Sequence, residues 1–406
     1  MRILLLSQYF DPEPLPRGLM FARDLVKQGH EVEVLTGFPN YPGGKIYPGY
    51  GVRFIQRELI EGIKITRVPL FPSHDASAFH RGLNYLSFAV TAAIMGPWVV
   101  QKPDVIHAYY GNATIGLPAW VIGAVLRAPI VLDIQDLWPD SITASGILPR
   151  RFQFLVPVVE GWCQLVYRWA AKIAVLSPGF KRELMARGVP EAKLQVIPNW
   201  CDETQIQPGP LRTEEECLLE GRFNVVMAGT MGTVQGLDVV LDAALMLTEF
   251  EPKVQFVLVG GGVERPHLEA RATSLGLNNV LFLPRRPVEE IGALLYRADA
   301  LLVHLKDDPL FAITIPSRIQ AYLAVGRPIL CGVRGNASEL VQQAGAGVCF
   351  EPDNSSALAE AVTALCHLSL EARSKMGERG RQFYRDKLSV PVGTQAFIKL
   401  FEQARL

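Results

Sequence analysis

Phe223-Asn224-Val225-Val226-Met227-Ala228-Gly229-Thr230-Met231-Gly232-Thr233-Val234-Gln235-Gly236 is the stretch that decides the fold. A largely apolar run passes into a glycine-bearing loop, and Leu237–Leu247 then takes up helical apolar spacing. This is the strand–loop–helix opening of a parallel α/β domain. The start of the chain has the same order. Arg2-Ile3-Leu4-Leu5-Leu6 reads as a buried strand, a Pro-broken polar loop follows to Arg17-Gly18, and a helical pattern begins there. Two openings imply two α/β domains, each presenting a loop and a helix N-terminus suited to an anion.

Length agrees: 406 residues exceed one ordinary core and divide into two domains of about 200 residues each. The expected division is 1–203 and 222–385, with a linker at 204–221 where the apolar period lapses and a C-terminal helix at 386–406 packing back on the N-terminal domain. The formal net charge is zero, which gives no electrostatic support to a nucleic-acid partner. Residues 1–200 carry 20 Lys/Arg and 15 Asp/Glu, a net of +5, so the remainder carries −5. A mildly basic, apolar first half suits an anionic lipid surface. The six scattered cysteines, with no CxxC, read as reduced, mostly buried thiols of a cytoplasmic protein. Ile3–Leu6 is too short for a signal peptide, and Leu86–Val100, broken by Gly96-Pro97, falls short of the ~20 residues that span a bilayer.

Strands are expected at 2–7, 31–36, 63–68, 104–108, 129–134, 172–176 and 194–197, with helices at 17–29, 81–100, 114–127, 151–170 and 179–187. The second half repeats the alternation, with strands at 223–228, 254–259, 280–282, 300–303, 328–331 and 347–350. Its helices are expected at 236–248, 264–275, 287–296, 316–325, 355–365, 370–386 and from 391 onward.

Three stretches carry candidate chemistry. In the loop 228–236, with the second turn Gly260-Gly261-Gly262, Thr230, Gly232, Gln235 and Gly261 are placed to let backbone amides approach a phosphate; the alternative is a plain tight turn that needs glycine. In Pro316-Ser317-Arg318-Ile319-Gln320, proline suits the first helical position, so Arg318 falls in the first turn. The helix dipole opposes a cation there by about 0.3–1 kcal/mol unless it neutralises an anion. The alternative is a surface arginine paired with Asp307 or Asp308. Asp133-Ile134-Gln135-Asp136-Leu137-Trp138-Pro139-Asp140 follows an apolar strand, at the end where α/β folds make ligand contacts. Arg17 and Gly18 are expected at the same place, and His74, Asp75 and Arg81 are candidate acceptor contacts. No DxD triplet encodes a metal–diphosphate site, no GxGxxG follows the first strand, and neither a Walker motif nor GxSxG occurs.

With Gln8-Tyr9-Phe10-Asp11-Pro12-Glu13, Phe38-Pro39-Asn40-Tyr41-Pro42, Asp136-Leu137-Trp138-Pro139, Pro198-Asn199-Trp200-Cys201-Asp202, Gly229–Asp238 and Pro316–Pro328 in that order, the chain resembles glycosyltransferase family 4. These are retaining enzymes of the GT-B fold, and the likeness is greatest to the O-antigen and capsule branch that includes N-acetyl-L-fucosamine transferases. The resemblance implies two Rossmann-like domains facing across a cleft. It implies a nucleotide-sugar donor, UDP-linked, as substrate and no other cofactor, and transfer to an undecaprenyl-diphosphate-linked saccharide by a protein peripheral on the cytoplasmic face of the inner membrane. It puts Gly18 near the diphosphate, Asp136 near the donor sugar, Arg318 at the leaving group and Arg285-Arg286-Pro287 at the base. The chain departs from the family in its loop, where Thr230 and Gln235 replace an Arg/Lys pair, and at Ile313 and Ala321, where two glutamates are missing; Gln320 is the candidate ribose contact. A non-hydrolysing UDP-sugar 2-epimerase, an inactive nucleotide-sugar-binding module and an NAD-dependent oxidoreductase remain the alternatives.

Overall fold

A computed structural model describes residues 1–73, 78–141, 154 and 156–406, which form two compact units. The first comprises Met1–Pro198 together with Val390–Leu406, and the second Asn199–Ser389. Each is a parallel sheet covered by helices, as the alternating pattern predicts.

In the first unit, Ile3, Leu4, Leu5 and Leu6 are all buried. A strand apolar on both faces belongs in the middle of a parallel sheet. Its strands are β1 (Arg2–Leu6), β2 (Glu31–Gly37), β3 (Gln56–Ile60), β4 (Ile63–Val68), β5 (Val105–Tyr110), β6 (Ile130–Ile134), β7 (Lys172–Val175) and β8 (Leu194–Val196), ordered β3-β4-β2-β1-β5-β6-β7-β8. β3 was not expected. Among the described residues it is the one antiparallel member, joined to β4 through Glu61-Gly62, both at positive φ. An edge strand needs only one apolar face, so Gln56-Arg57-Glu58-Leu59-Ile60 lacks the continuous apolar run that reveals its neighbours. The helix Ala78–Val99 continues through Pro97, which stands in its last turn and does not end it. Of the helix expected at 151–170, Val156–Trp169 is described, and most of its first turns lie outside the described residues.

The second sheet contains β9 (Phe223–Thr230), β10 (Val254–Gly261), β11 (Val280–Leu283), β12 (Ala300–His304), β13 (Ile329–Gly332) and β14 (Gly347–Cys349), ordered β11-β10-β9-β12-β13-β14. Val226 enters one core with Leu301, Ile319 and Leu323, while Val225 and Met227 enter the other with Val240 and Leu241, so side chains alternate across β9. The strand order reverses between β9 and β12, as it does between β1 and β5 in the first sheet, and ligands of open α/β sheets bind at such points.

The stretch 204–221, read as a linker, holds the helix Thr213–Leu219 within the second unit. Glu214, Glu215 and Glu216 occupy its first turn, where the dipole favours anions, and Leu219 enters the core. Helices Pro309–Ala312 and Asn336–Gln343 were also not expected. The C-terminal helix Val390–Arg405 closes the first unit. Phe397 and Phe401 are fully buried, and the Phe397 ring packs 5.2 Å from both Phe21 and His107. Phe397→Ala is expected to cost about 3–5 kcal/mol, read as an earlier urea-unfolding transition of the full-length protein.

Candidate active site

At the carboxyl edge of the second sheet, β9 carries Gly229 and Thr230 out to solvent. Gly229 has φ 131°, and a Cβ there would meet the Arg318 guanidinium at 2.8 Å. The positive φ requires glycine here, and the arginine lies directly against its backbone. A Cβ on Gly260, the register partner of Gly229, would fall 2.0 Å from the Gly229 carbonyl oxygen, so that turn is glycine-rich for strand contact. Arg318 donates from Nη2 to the Thr230 carbonyl at 2.9 Å. Its helix, Ser317–Val325, has Pro316 at the N-cap, and Tyr322 one turn further on accepts the Ala228 N–H at 3.0 Å, tying helix to strand. Asp307 pairs with Arg334, and Asp308 caps the helix Pro309–Ala312 through Leu310 N–H. Among the described residues Arg318 forms no ion pair. A cation held in a first helical turn by one carbonyl, with no carboxylate, is arranged to receive an anion.

The loop beyond is held from within. Gln235 Oε1 accepts the Gly232 N–H at 2.8 Å, which occupies an amide expected to face phosphate. His304 Nε2 accepts from Asp353 N–H at 3.0 Å, which leaves the proton on Nδ1 to donate to the Gln235 carbonyl at 2.6 Å. Burial lowers the His304 pKa, in keeping with a neutral ring. The strand reading ended at 303, so this positioning residue was missed; a polar residue closing an apolar strand was the available signal.

At the carboxyl edge of the first sheet, Asp136 follows β6. Asp136 is exposed at the surface, and the desolvation of its carboxyl by the surrounding protein raises it above the ordinary carboxylate range, to about 6. Tyr9 and Tyr41 lie with ring centroids 5.1 Å apart, and Tyr85 meets Trp138 edge-on at 6.3 Å. Burial raises the Tyr85 and Tyr109 phenols, and the Asp136 charge adds to it, so both stand within electrostatic reach of that carboxylate. Glu13 fixes the loops after β1 and β2 by accepting N–H bonds from Phe10 at 3.1 Å and from Asn40 and Tyr41 at 2.7 Å each. Burial nonetheless pushes its carboxyl up to about 7. A buried amide chain, Asn112 to Gln8 to Asn84, completes the support.

Several expected donor contacts are committed elsewhere. Arg17 is wholly buried, paired with Asp133 at 3.0 Å and bonded to the Ile197 and Pro198 carbonyls, so it is not presented to a donor. At Gly18, a Cβ would strike Asp11 Oδ2 at 2.4 Å, because that carboxylate caps Leu19 N–H at 2.6 Å. The helix N-terminus after β1 thus already holds an internal anion, which repels a diphosphate. Gln320 is buried, its amide within 3.0 Å of the Pro316 and Ser317 carbonyls when the nitrogen faces them, and it does not extend toward a ribose. The Arg286 side chain is bound to Glu215 and Glu290, which leaves only its backbone for a base. Ser317 is exposed at the start of its helix, and Gly261 has open space where a Cβ would stand. Arg81 is half-buried near the start of Ala78–Val99, while His74 and Asp75 lie outside the described residues. Among the described residues no group of three or more His, Cys, Asp or Glu is placed to hold a metal ion.

Comparison with known proteins agrees with this architecture. Residues 17–200 match the glycosyl transferase 4-like domain, and residues 214–383 match glycosyl transferases group 1. The putative colanic acid biosynthesis glycosyl transferase WcaI of Escherichia coli K12 is 27% identical over 377 residues, spanning 88% of this chain and 90% of that one. The probable glycosyltransferase WbjE of Pseudomonas aeruginosa is 22% identical over 376 residues, 91% of each. Among solved structures, Anabaena Alr3699/HepE in complex with UDP-glucose superposes with TM-score 0.70 at 16% identity over 98% of both chains. An E. coli trehalose-6-phosphate structure bound with UDP-2-fluoro glucose gives 0.75 at 12% identity, over 100% of this chain and 99% of that one.

The protein is a glycosyltransferase of the GT-B fold class. It carries a glycosyl transferase 4-like domain followed by a group 1 domain, as the motif order led one to expect.

Asp136 provides a pH test. With its carboxyl near 6, kcat/KM is expected to fall about tenfold per pH unit below that value as the carboxylate is protonated. Asp136→Asn should flatten this limb; an unchanged limb assigns it to another group. Because the value is raised, ionisation opposes folding: the group's stabilising contribution is full below the ordinary carboxylate range and is lost as pH rises through about 6.

Proposed function

We propose that the protein transfers an N-acetylated deoxy-sugar from a UDP-linked donor, with retention, to an undecaprenyl-diphosphate-linked saccharide in O-antigen or capsule assembly. The observation that carries this reading is Arg318, lying on Gly229 at the end of β9 without a carboxylate partner among the described residues. The relatives described as colanic acid and probable glycosyltransferases support the pathway class, and the fold neighbours bound to UDP-glucose and UDP-2-fluoro glucose support the donor class.

In this reading the sugar's anomeric carbon–oxygen bond to the diphosphate breaks while a bond to the acceptor hydroxyl oxygen forms. The acceptor proton passes to the departing phosphate oxygen. Arg318 and exposed backbone N–H groups near Thr230 and Ser317 take up the charge that develops on the leaving group, and such preorganised donors are worth about 10²–10³ in rate. Asp136, among tyrosines, holds a sugar hydroxyl. With UDP-N-acetylated sugars and a synthetic polyprenyl-diphosphate-GlcNAc acceptor, mass spectrometry is expected to detect an added sugar, and Arg318→Ala to reduce its formation about a hundredfold. Activity within a few-fold of wild type removes the leaving-group role. Conversion of the nucleotide sugar without acceptor would instead identify an epimerase.

The lipid-linked acceptor is supported by one apolar face of the first unit. Helix Ala78–Val99 exposes Leu86, Val90, Ile94 (66%) and Trp98 (85%) along one stripe, and the neighbouring helix Gly116–Leu126 exposes Trp120 and Val125. Exposed Lys102 and Arg127 follow the C-terminal ends of these two helices in sequence. No helix among the described residues is long and apolar enough to cross a membrane. This face is read as docking peripherally on the cytoplasmic leaflet, with cations against anionic headgroups. Trp98→Glu is expected to weaken sedimentation with anionic phospholipid vesicles about tenfold while turnover of a short-chain, water-soluble acceptor persists; equal vesicle binding by both proteins refutes the docking role.

A further inference from the structure

Strands β13 and β14 lie at the edge of the second sheet with Cys331 and Cys349 directly opposite in parallel register. Adjacent strands run about 4.8 Å apart, within the range of roughly 4.4–6.8 Å between Cα atoms that a disulfide spans. Residues opposite one another project to the same face, and both sulfurs converge on Ser338. Cys331 Sγ lies 3.9 Å from the Ser338 hydroxyl, and Cys349 Sγ 3.6 Å from the Ser338 carbonyl oxygen. Cys331 is fully buried and Cys349 half-buried, so one thiol is reachable and the other waits behind it. No other two of the six cysteines stand in strand register.

The two thiols also bear on each other's titration. The hydrogen bond from Cys331 pulls the Cys349 thiol down to about 7 against the effect of burial. Cys331 is pushed up by that same bond and by burial. Two adjacent thiols, the reachable one lowered toward neutrality and the other buried behind it, have the geometry of an attacking and a resolving sulfur.

We propose that Cys331 and Cys349 are a peroxide-responsive pair that closes to a disulfide. The Cys349 thiolate attacks a hydroperoxide: an S–O bond forms, the O–O bond breaks, and hydroxide or alkoxide leaves, giving a sulfenic acid. The Cys331 sulfur then attacks the Cys349 sulfur. The S–S bond forms as the S–O bond breaks, and the hydroxyl departs as water with the Cys331 proton. The two thiols together lose two electrons, and the peroxide gains them. The tie falls next to Phe350, whose ring stacks on His304 with centroids 6.1 Å apart, and His304 holds the Gln235 loop. This inference does not depend on the donor or acceptor.

The test treats the full-length protein with hydrogen peroxide and maps non-reduced peptides by mass spectrometry. The expected product links the Cys331 and Cys349 peptides, lighter by two hydrogens and released by dithiothreitol. Cys331→Ser should leave Cys349 as a sulfenic acid trapped by dimedone, and Cys349→Ser should leave Cys331 reduced. The proposal is overturned if wild-type Cys349 proceeds to sulfinic acid without the link. It is equally overturned if exposed Cys217 oxidises while both strand thiols stay reduced. Wild-type mapping decides between these outcomes whether or not the variants fold.

Discussion

A guanidinium with no access to water must have its charge met inside the protein, and Arg17 is the point on which the first unit turns. Its Nε donates to Asp133 at the end of β6, and Nη2 reaches the carbonyls of Ile197 and Pro198, where the chain leaves the unit. The Phe397 ring of the returning C-terminal helix covers it at 4.9 Å. Burial alone would raise the Asp133 carboxyl, yet Arg17 and His107 hold it below the ordinary range. The loop after β1, the strand β6, the exit segment and the last helix therefore share one electrostatic centre. Removing either charge would leave the other buried and uncompensated, a cost of about 3–5 kcal/mol.

The two strand–loop–helix openings look alike as text and differ in charge. After β1, Asp11 occupies the helix N-terminus and meets Leu19 N–H, so that site is satisfied internally. In the second unit the group beside the strand end is Arg318, against Gly229. The helix after β9 also opens on a carboxylate, Asp238, but Arg271 and His267 pair with it. The two edges therefore offer unlike surroundings: a carboxylate committed to Leu19 N–H in the first unit and a guanidinium against Gly229 in the second.

The fold was legible because parallel strands buried on both faces are largely continuous apolar runs, such as Ile3–Leu6 or Phe256–Val259. β3 was hidden because its side chains alternate, and the helix Thr213–Leu219 because three consecutive glutamates look like solvated linker until they are placed in a first turn. The candidate site is another matter. Arg318 and Asp136 were singled out from helix polarity and strand-end position, and the structure puts each at the carboxyl edge of its sheet. Arg17, Gln320 and Arg286 could not be excluded, because whether a polar side chain faces a ligand or an internal carbonyl depends on partners as remote as Ile197 and Glu215. His304 bonds to Gln235, 69 residues away in the chain, and its polar character at the close of an apolar strand was the one local sign of it.

The helix Val390–Arg405 belongs to the unit that begins at Met1. During synthesis the opening β-strands leave the ribosome long before Phe397 and Phe401 exist to fill the space beside Phe21 and His107. The domain translated first is thus the one completed last, whereas Asn199–Ser389 has all its strands and helices in one uninterrupted stretch. A stop codon a few turns early would spare the later domain and leave the earlier one open at its core.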